Sequence, residues 1–286
     1  MPECPQETKK EMNEEERDFA LRANVATYGN FDERKYINGA PHLKHQSIAR
    51  IYGSLVASAL KRIDRAPADV EVLELGAGNG LASTAWFEQR VHLTAVDSSK
   101  SMLDGLLQKA QEFGLKPRTV VADALEYLDS TRDDFDVITH VSMLHHVPDY
   151  LDLLSRSIQR VRTGGCLLTF QDPLRYDRMP LHHRAIDRAS YFAWRLGQGN
   201  LKRGLKTRIR RLRGVYSPTE VVDFDEYHVV RNGVDSAEIV KLLNASFSEV
   251  AVFSYWSTYS RPLQALGERL QLASSFGILA SGRKPT

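Results

Sequence analysis

The feature that most constrains this chain is a regular alternation of short apolar runs with stretches of helical spacing across residues 70–171. Apolar runs stand at 70–75, 91–96, 118–122, 135–141 and 165–171. Between them, residues 79–89, 99–113 and 150–161 read as helices; the second puts Met102, Leu103, Leu106, Leu107 and Ala110 on one face. Strands alternating with such helices imply βαβ units and a parallel sheet. Right-handed crossovers then place helices on both faces, so the predicted fold is a doubly wound α/β domain.

The alternation stops at Asp172-Pro173, and the next ~60 residues, to Gly233, fit no βαβ unit. It resumes with a helix at 236–245 and strands at 249–256 and 276–283. Upstream, residues 1–17 are polar and read as a disordered leader. Residues 18–66 read as a helical cover, with Phe19, Tyr28, Phe31 and Tyr36 as aromatic anchors. The cover closes with one long amphipathic helix over 42–65, on which Ile48, Ile51, Tyr52, Leu55, Val56 and Ala59 repeat at helical spacing. Five parts are therefore expected: leader 1–17, cover 18–66, core 67–173, lid insertion 174–233 and a C-terminal completion of the sheet, 234–286.

Composition excludes several classes. The formal net charge is +2, too small for a global field that recruits DNA or an anionic membrane. The leader lacks the apolar stretch of a secretory signal, and no window approaches 18 uninterrupted apolar residues, so a cytoplasmic chain is expected. Cys4 and Cys166 read as free thiols in a reducing compartment. No H-E-x-x-H or C-x-x-C spacing marks a metal site.

The chemistry concentrates where strands end. The first strand runs into Glu74-Leu75-Gly76-Ala77-Gly78-Asn79-Gly80. Glycines at a strand-to-helix turn let backbone approach a ligand, and the next helix offers free N–H groups. A dinucleotide fingerprint requires a third Gly or Ala where Leu81 stands. The second strand ends at Asp97, whose carboxylate can accept from both hydroxyls of an adenosine ribose, or cap the following helix together with Ser98. The third ends in Ala122-Asp123-Ala124, where the carboxylate can accept from an adenine amine or cap a helix. The fourth leads into Ser142-Met143-Leu144-His145-His146.

Together, E-L-G-A-G-N-G, V-D-S-S with Met102 downstream, A-D-A, F-D-V-I, L-H-H-V and G-G-C-L-L resemble the class I, Rossmann-like S-adenosylmethionine-dependent methyltransferases of the small-molecule type. The resemblance covers residues 70–171 well and the last two strands loosely. It implies a mostly parallel seven-stranded sheet in the order 3-2-1-4-5-7-6, with the last strand antiparallel. It implies S-adenosyl-L-methionine as cofactor, its methionine end held by Glu74 and the loop of Gly76, Ala77 and Gly78. Asp97, with Ser98 beside it, would hold the ribose. Met102 would pack against adenine, and Asp123 and Ala124 would mark its exocyclic edge. His140 inside the fourth strand is placed at the cofactor as well. Residues 28–45 resemble the cover that such enzymes fold over the cofactor, with Tyr36 facing it.

Methyl transfer to a hydroxyl, phenol or ammonium also requires removal of a proton, which a positioned His can take. His145 and His146 stand where the methyl is expected and are the catalytic candidates. His42 in the cover, His182 and His183 in the insertion, and Tyr227 with His228 near its end are candidates for the acceptor side. Residues 202–213 combine seven Lys and Arg with Leu205, Ile209 and Leu212, an amphipathic basic helix that suits an anionic acceptor or a solvated face. The fourth strand lacks the N/D-P-P-aromatic motif of base-amine methylation. The expected activity is therefore methylation of a small or medium organic acceptor, oxygen before nitrogen, in secondary-metabolite or lipid-like biosynthesis. RNA or protein methylation, a nicotinamide-dependent oxidoreductase and a catalytically silent cofactor-binding protein are the alternatives.

Overall fold

The computed structural model describes residues 40–197 and 233–285. The leader, most of the cover with Tyr36, the basic segment 202–213, Tyr227 and His228 lie outside the described residues.

Seven strands form one sheet: β1 (Glu71–Leu75), β2 (His92–Asp97), β3 (Arg118–Val121), β4 (Phe135–Val141), β5 (Val161–Pro173), β6 (Phe247–Tyr255) and β7 (Ser275–Arg283). Their order is β3-β2-β1-β4-β5-β7-β6, as the resemblance implies. β1 to β5 pair in parallel, and β7 lies antiparallel between β5 and β6.

The strands read as near-continuous apolar runs because both faces are covered, and the pleat sends successive residues to opposite cores. Val72, Leu93, Ala95, Val137, Cys166, Leu168 and Phe170 join one core. Leu73, Leu75, Val96, Ile138, Leu167, Phe276 and Ile278 join the other. Against the first core lie α2 (Gln46–Leu60), α3 (Thr84–Phe87) and α4 (Lys100–Glu112). Against the second lie α5 (Ala124–Ser130), α6 (Tyr150–Gln159) and α8 (Ser236–Ser246). Ile48, Tyr52, Leu55, Val56 and Ala59 of α2 are buried, each large side chain contributing roughly 1.5–3 kcal/mol. Trp86 is wholly buried, and its indole N–H donates to the Tyr52 hydroxyl at 2.9 Å.

Three local expectations are corrected. The single helix expected over 42–65 is two: α1 (Pro41–Lys44) and α2, broken at His45, whose backbone is extended. Tertiary contacts explain the break. His45 Nε2–H donates to the carbonyl of Thr258 at 2.7 Å, and Lys44 Nζ donates to that of Tyr259 at 2.7 Å. The helix expected over 79–89 shrinks to α3 because Gly78 and Gly80 have positive φ and the Asn79 side chain accepts from Leu81 N–H, which keeps the chain in turns. The sequence reading gives no helix at α9 (Arg261–Arg269), while α5 is the helix that the Asp123 cap allowed.

The excursion after β5 begins with α7 (Leu181–Gly197). It returns where it left: Leu174 bridges Val234, Val234 N–H donates to the Pro173 carbonyl at 2.9 Å, and Arg175 donates to Asp235 at 2.8 Å. At Gly233 a side chain would meet the Leu174 carbonyl at 2.5 Å, so the return needs glycine. Among the described residues no helix is long and apolar enough to cross a membrane.

Candidate functional site

The carboxyl ends of β1, β2, β4 and β5 converge, which is where ligands sit in open α/β sheets. The loop after β1 is tied to β2. Gly76 and Ala77 N–H donate to the Val96 carbonyl at 2.9 and 3.1 Å, and Gly78 N–H donates to Asp97 Oδ2 at 2.8 Å. A side chain at Gly80, with φ of +79°, would meet the Leu106 backbone at 2.9 Å. The glycines therefore let the loop lie directly on α4.

Two acidic side chains sit beneath this loop. Glu74 is 1% exposed. Its Oε2 accepts from the Ser83 hydroxyl at 2.5 Å, while the buried Oε1 has no partner. Burial, reinforced by the charge of Asp97 and opposed by the Ser83 hydrogen bond, pushes the Glu74 carboxyl up to about 7. Asp97 Oδ1 accepts from Ser99 N–H at 2.8 Å, and Oδ2 holds the loop. Burial raises the Asp97 carboxyl above its usual range, against the pull of those two N–H donors.

Around this pair, Ser98 follows Asp97 at the strand end, and Ser99 caps α4. Met102 is buried in the first turn of that helix. Asp123 caps α5, its Oδ1 accepting from Leu125 and Glu126 N–H at 2.9 and 3.2 Å, with Ala124 buried behind it. His140 corrects the expectation for its ring. The pleat turns it towards α6, where Nε2–H donates to Ser157 Oγ at 3.1 Å, the Ser157 hydroxyl being spent on the Leu153 carbonyl. Burial holds this imidazole down to about 3, so it packs as a neutral group.

The second half of the site was only partly legible. His145 lies in the short turn after β4, and its Nδ1–H donates to Asp172 Oδ1 at 2.8 Å. The same oxygen accepts from His145 backbone N–H at 3.1 Å. Asp172 is fully buried at the end of β5 and was not singled out from the sequence. His146 stacks on His145 with ring centroids 4.1 Å apart. His42, on α1, is buried with Nδ1 unpartnered; burial and the neighbouring His145 depress it to about 3. Two strained residues flank the group: Ser142 with φ of +54° and Gln171 with φ of +68°. His182 and His183 pack on each other at the start of α7, where His183 Nδ1 accepts from Ala273 N–H at 3.4 Å.

Residues 72–165 match the family model described as a methyltransferase domain. Over 94 residues the chain is 33% identical to the ubiquinone biosynthesis O-methyltransferase of Aeromonas salmonicida (strain A449), an alignment covering 33% of this chain and 40% of that protein. The chain thus spans about two fifths of the length of the curated relatives it matches. The structure of the N-methyltransferase NodS from Bradyrhizobium japonicum WM9 with S-adenosyl-L-homocysteine superposes with a TM-score of 0.54 at 14% identity, covering 94% of this chain and 100% of that one. The plantazolicin methyltransferase BpumL with S-adenosyl-L-homocysteine gives 0.52 at 14% identity, covering 94% and 98%. At these identities the structural likeness establishes the fold.

Proposed function

From a core that matches the methyltransferase-domain family and has the class I methyltransferase fold, we propose that this chain transfers a methyl group from S-adenosylmethionine to a small organic acceptor. The observation that carries the reading is the buried Glu74 under the glycine loop, with the half-buried Asp97 beside it. Glu74 lies under the loop that would approach the diphosphate of a dinucleotide, and its buried carboxylate opposes such an anion. A sulfonium amino acid with an adenosine brings the complementary groups: an ammonium for the unpartnered Glu74 Oε1 and ribose hydroxyls for Asp97. The residues fit that cofactor and disfavour the nicotinamide alternative.

When bound, S-adenosylmethionine supplies an electrophilic methyl on sulfur. The chain's own part is to bind, orient and exclude water. Glu74 and the 76–80 loop hold the amino-acid end, Asp97 holds the ribose, and Met102, Asp123 and Ala124 frame the adenine. His145 takes the acceptor's proton, and His42 and His146 line the acceptor side. Oxygen is the favoured acceptor atom, and the turn after β4 lacks the N/D-P-P-aromatic motif of base-amine methylation. The name of the Aeromonas salmonicida relative points the same way. A secondary-metabolite or lipid-like acceptor is the class proposed.

Calorimetry with S-adenosylhomocysteine and, separately, NAD tests the cofactor. Micromolar binding of the first with none of the second is expected, and the reverse would overturn the reading. A radiolabelled methyl-transfer screen over hydroxylated and amino small molecules tests the acceptor. Transfer confined to amines would refute the preference for oxygen.

A further inference from the structure

We propose that Asp172 is a positioning residue that fixes His145 as the Nδ1–H tautomer and so presents Nε2 as the proton acceptor for a hydroxyl substrate. This inference rests on the methyltransferase reading for its substrate, but its geometry stands apart from it.

The argument begins with the strand. β5 pairs with β7 through Phe170↔Gly277 and then Asp172↔Phe276, so Gln171 is an extra residue in the ladder. Such a bulge re-aims the side chains beside it, and bulges collect next to functional sites. Gln171 makes this one with a left-handed backbone, φ +68°, which costs a non-glycine residue about 1–2 kcal/mol. Its neighbours hold it there. Gln171 N–H donates to the Tyr255 hydroxyl at 3.0 Å, that hydroxyl donates to Gln171 Oε1 at 3.1 Å, and Gln171 Nε2 donates to Ser257 Oγ at 2.7 Å. All three side chains are buried. The result of this investment is to direct a wholly buried carboxylate at one imidazole nitrogen.

A buried carboxylate needs compensation by hydrogen bonds. Asp172 Oδ1 receives two from one residue, the backbone N–H and Nδ1–H of His145. The backbone bond alone would be a turn cap. The ring bond does more, because an acceptor-only partner forces the proton onto Nδ1 and leaves the lone pair on Nε2. On the opposite side the cover contributes His42, buried and depressed to about 3, so it stays neutral and does not compete as a cation. The step then balances. The acceptor O–H bond breaks, and its proton forms an N–H bond at His145 Nε2. The oxygen keeps the electron pair that makes the new C–O bond, and the C–S pair stays on sulfur. The imidazolium formed is offset by the Asp172 carboxylate, which remains ionised.

The test is a long-range ¹H–¹⁵N correlation spectrum of histidine-labelled full-length protein at pH 8, assigned to His145 by its absence in His145→Gln. The wild type should show a protonated Nδ1 and an unprotonated Nε2. In Asp172→Ala, with the acceptor removed from Nδ1, the ring should go over to the Nε2–H tautomer, while Asp172→Asn, whose amide oxygen still accepts from both N–H groups of His145, should keep the wild-type pattern. A wild-type Nε2–H tautomer, or an unchanged tautomer in folded Asp172→Ala, would overturn the proposal. S-adenosylhomocysteine calorimetry on the wild type keeps the two readings apart. Absent binding would sink the methyltransferase reading and leave the tautomer assignment standing. Normal binding with the wrong tautomer would sink this inference alone.

Discussion

Replacing Glu74 by Gln removes one charge and almost no volume, and the amide oxygen can still accept from Ser83. The native carboxyl stands at about 7 against an ordinary 4.5. Between those two values the folded protein binds more protons than the unfolded chain, so this group's contribution to stability falls as pH rises. Its cost is absent below pH 4.5 and full above pH 7, where it amounts to about 3 kcal/mol. The same buried charge is what an incoming ammonium would find. Glu74→Gln should therefore raise the stability of the ligand-free protein, with a gap over the wild type that opens by about 2–3 kcal/mol between pH 5 and pH 8. Urea denaturation at the two pH values reads this as a midpoint difference of about 1 M or more. His42 and His140, both held to about 3, act in the opposite direction as pH falls below 6.5, so the comparison must be variant against wild type. S-adenosylhomocysteine should bind the variant at least ~10-fold more weakly at pH 8, as expected for loss of a charged hydrogen bond. Wild-type binding at pH 7 should release protons, seen as a calorimetric heat that changes with buffer ionisation enthalpy. Parallel pH profiles for wild type and variant, with equal affinities, would refute the reasoning.

Asp97→Ala should weaken S-adenosylhomocysteine binding by about 1–3 kcal/mol in calorimetry and loosen the 76–80 loop in hydrogen exchange, because Gly78 N–H loses its acceptor. Gly80→Ala should destabilise the fold by more than the roughly 1–2 kcal/mol of left-handed strain, since the new methyl meets the Leu106 backbone; denaturant titration measures it. His140→Leu should lose about 2 kcal/mol less stability than the wild type between pH 7 and pH 5, because the native ring stays neutral while the unfolded one takes a proton; urea midpoints at both pH values check this. His45→Ala should speed amide exchange across 41–45 without altering exchange in β1 or β4, as the bond to the Thr258 carbonyl is lost.

The sheet was legible in the sequence because both of its faces are covered. A buried strand is an uninterrupted apolar run, and β4, anticipated at 135–141, runs Phe135–Val141. The crossover after β3 was harder to read. Its helix α5 has only seven residues, too few for a helical period to declare itself beside the Asp123 cap. The break at His45 left no local mark either, since it is set by carbonyls more than 200 residues away. The cofactor side was readable from glycines and acidic residues at strand ends, where the backbone itself imposes residue type. Asp172 was not, because its role depends on a bulge made by Gln171, a residue type that gives no sign of a left-handed backbone. The resemblance set His140 at the cofactor, whereas the pleat of β4 turns its ring to Ser157.

The docking of α1 onto the loop after β6 bears on how such a protein can diversify. The cofactor-side residues from Glu74 to Asp123 form one contiguous stretch of chain. The wall bearing His42 is assembled from two remote pieces of chain, fastened where Lys44 and His45 donate to the carbonyls of Tyr259 and Thr258. Neither piece can be exchanged alone, because the other would lose its fit. A chimera that imports a new acceptor preference must bring residues 40–45 and 256–260 together as a matched set, and can then leave residues 71–123 untouched.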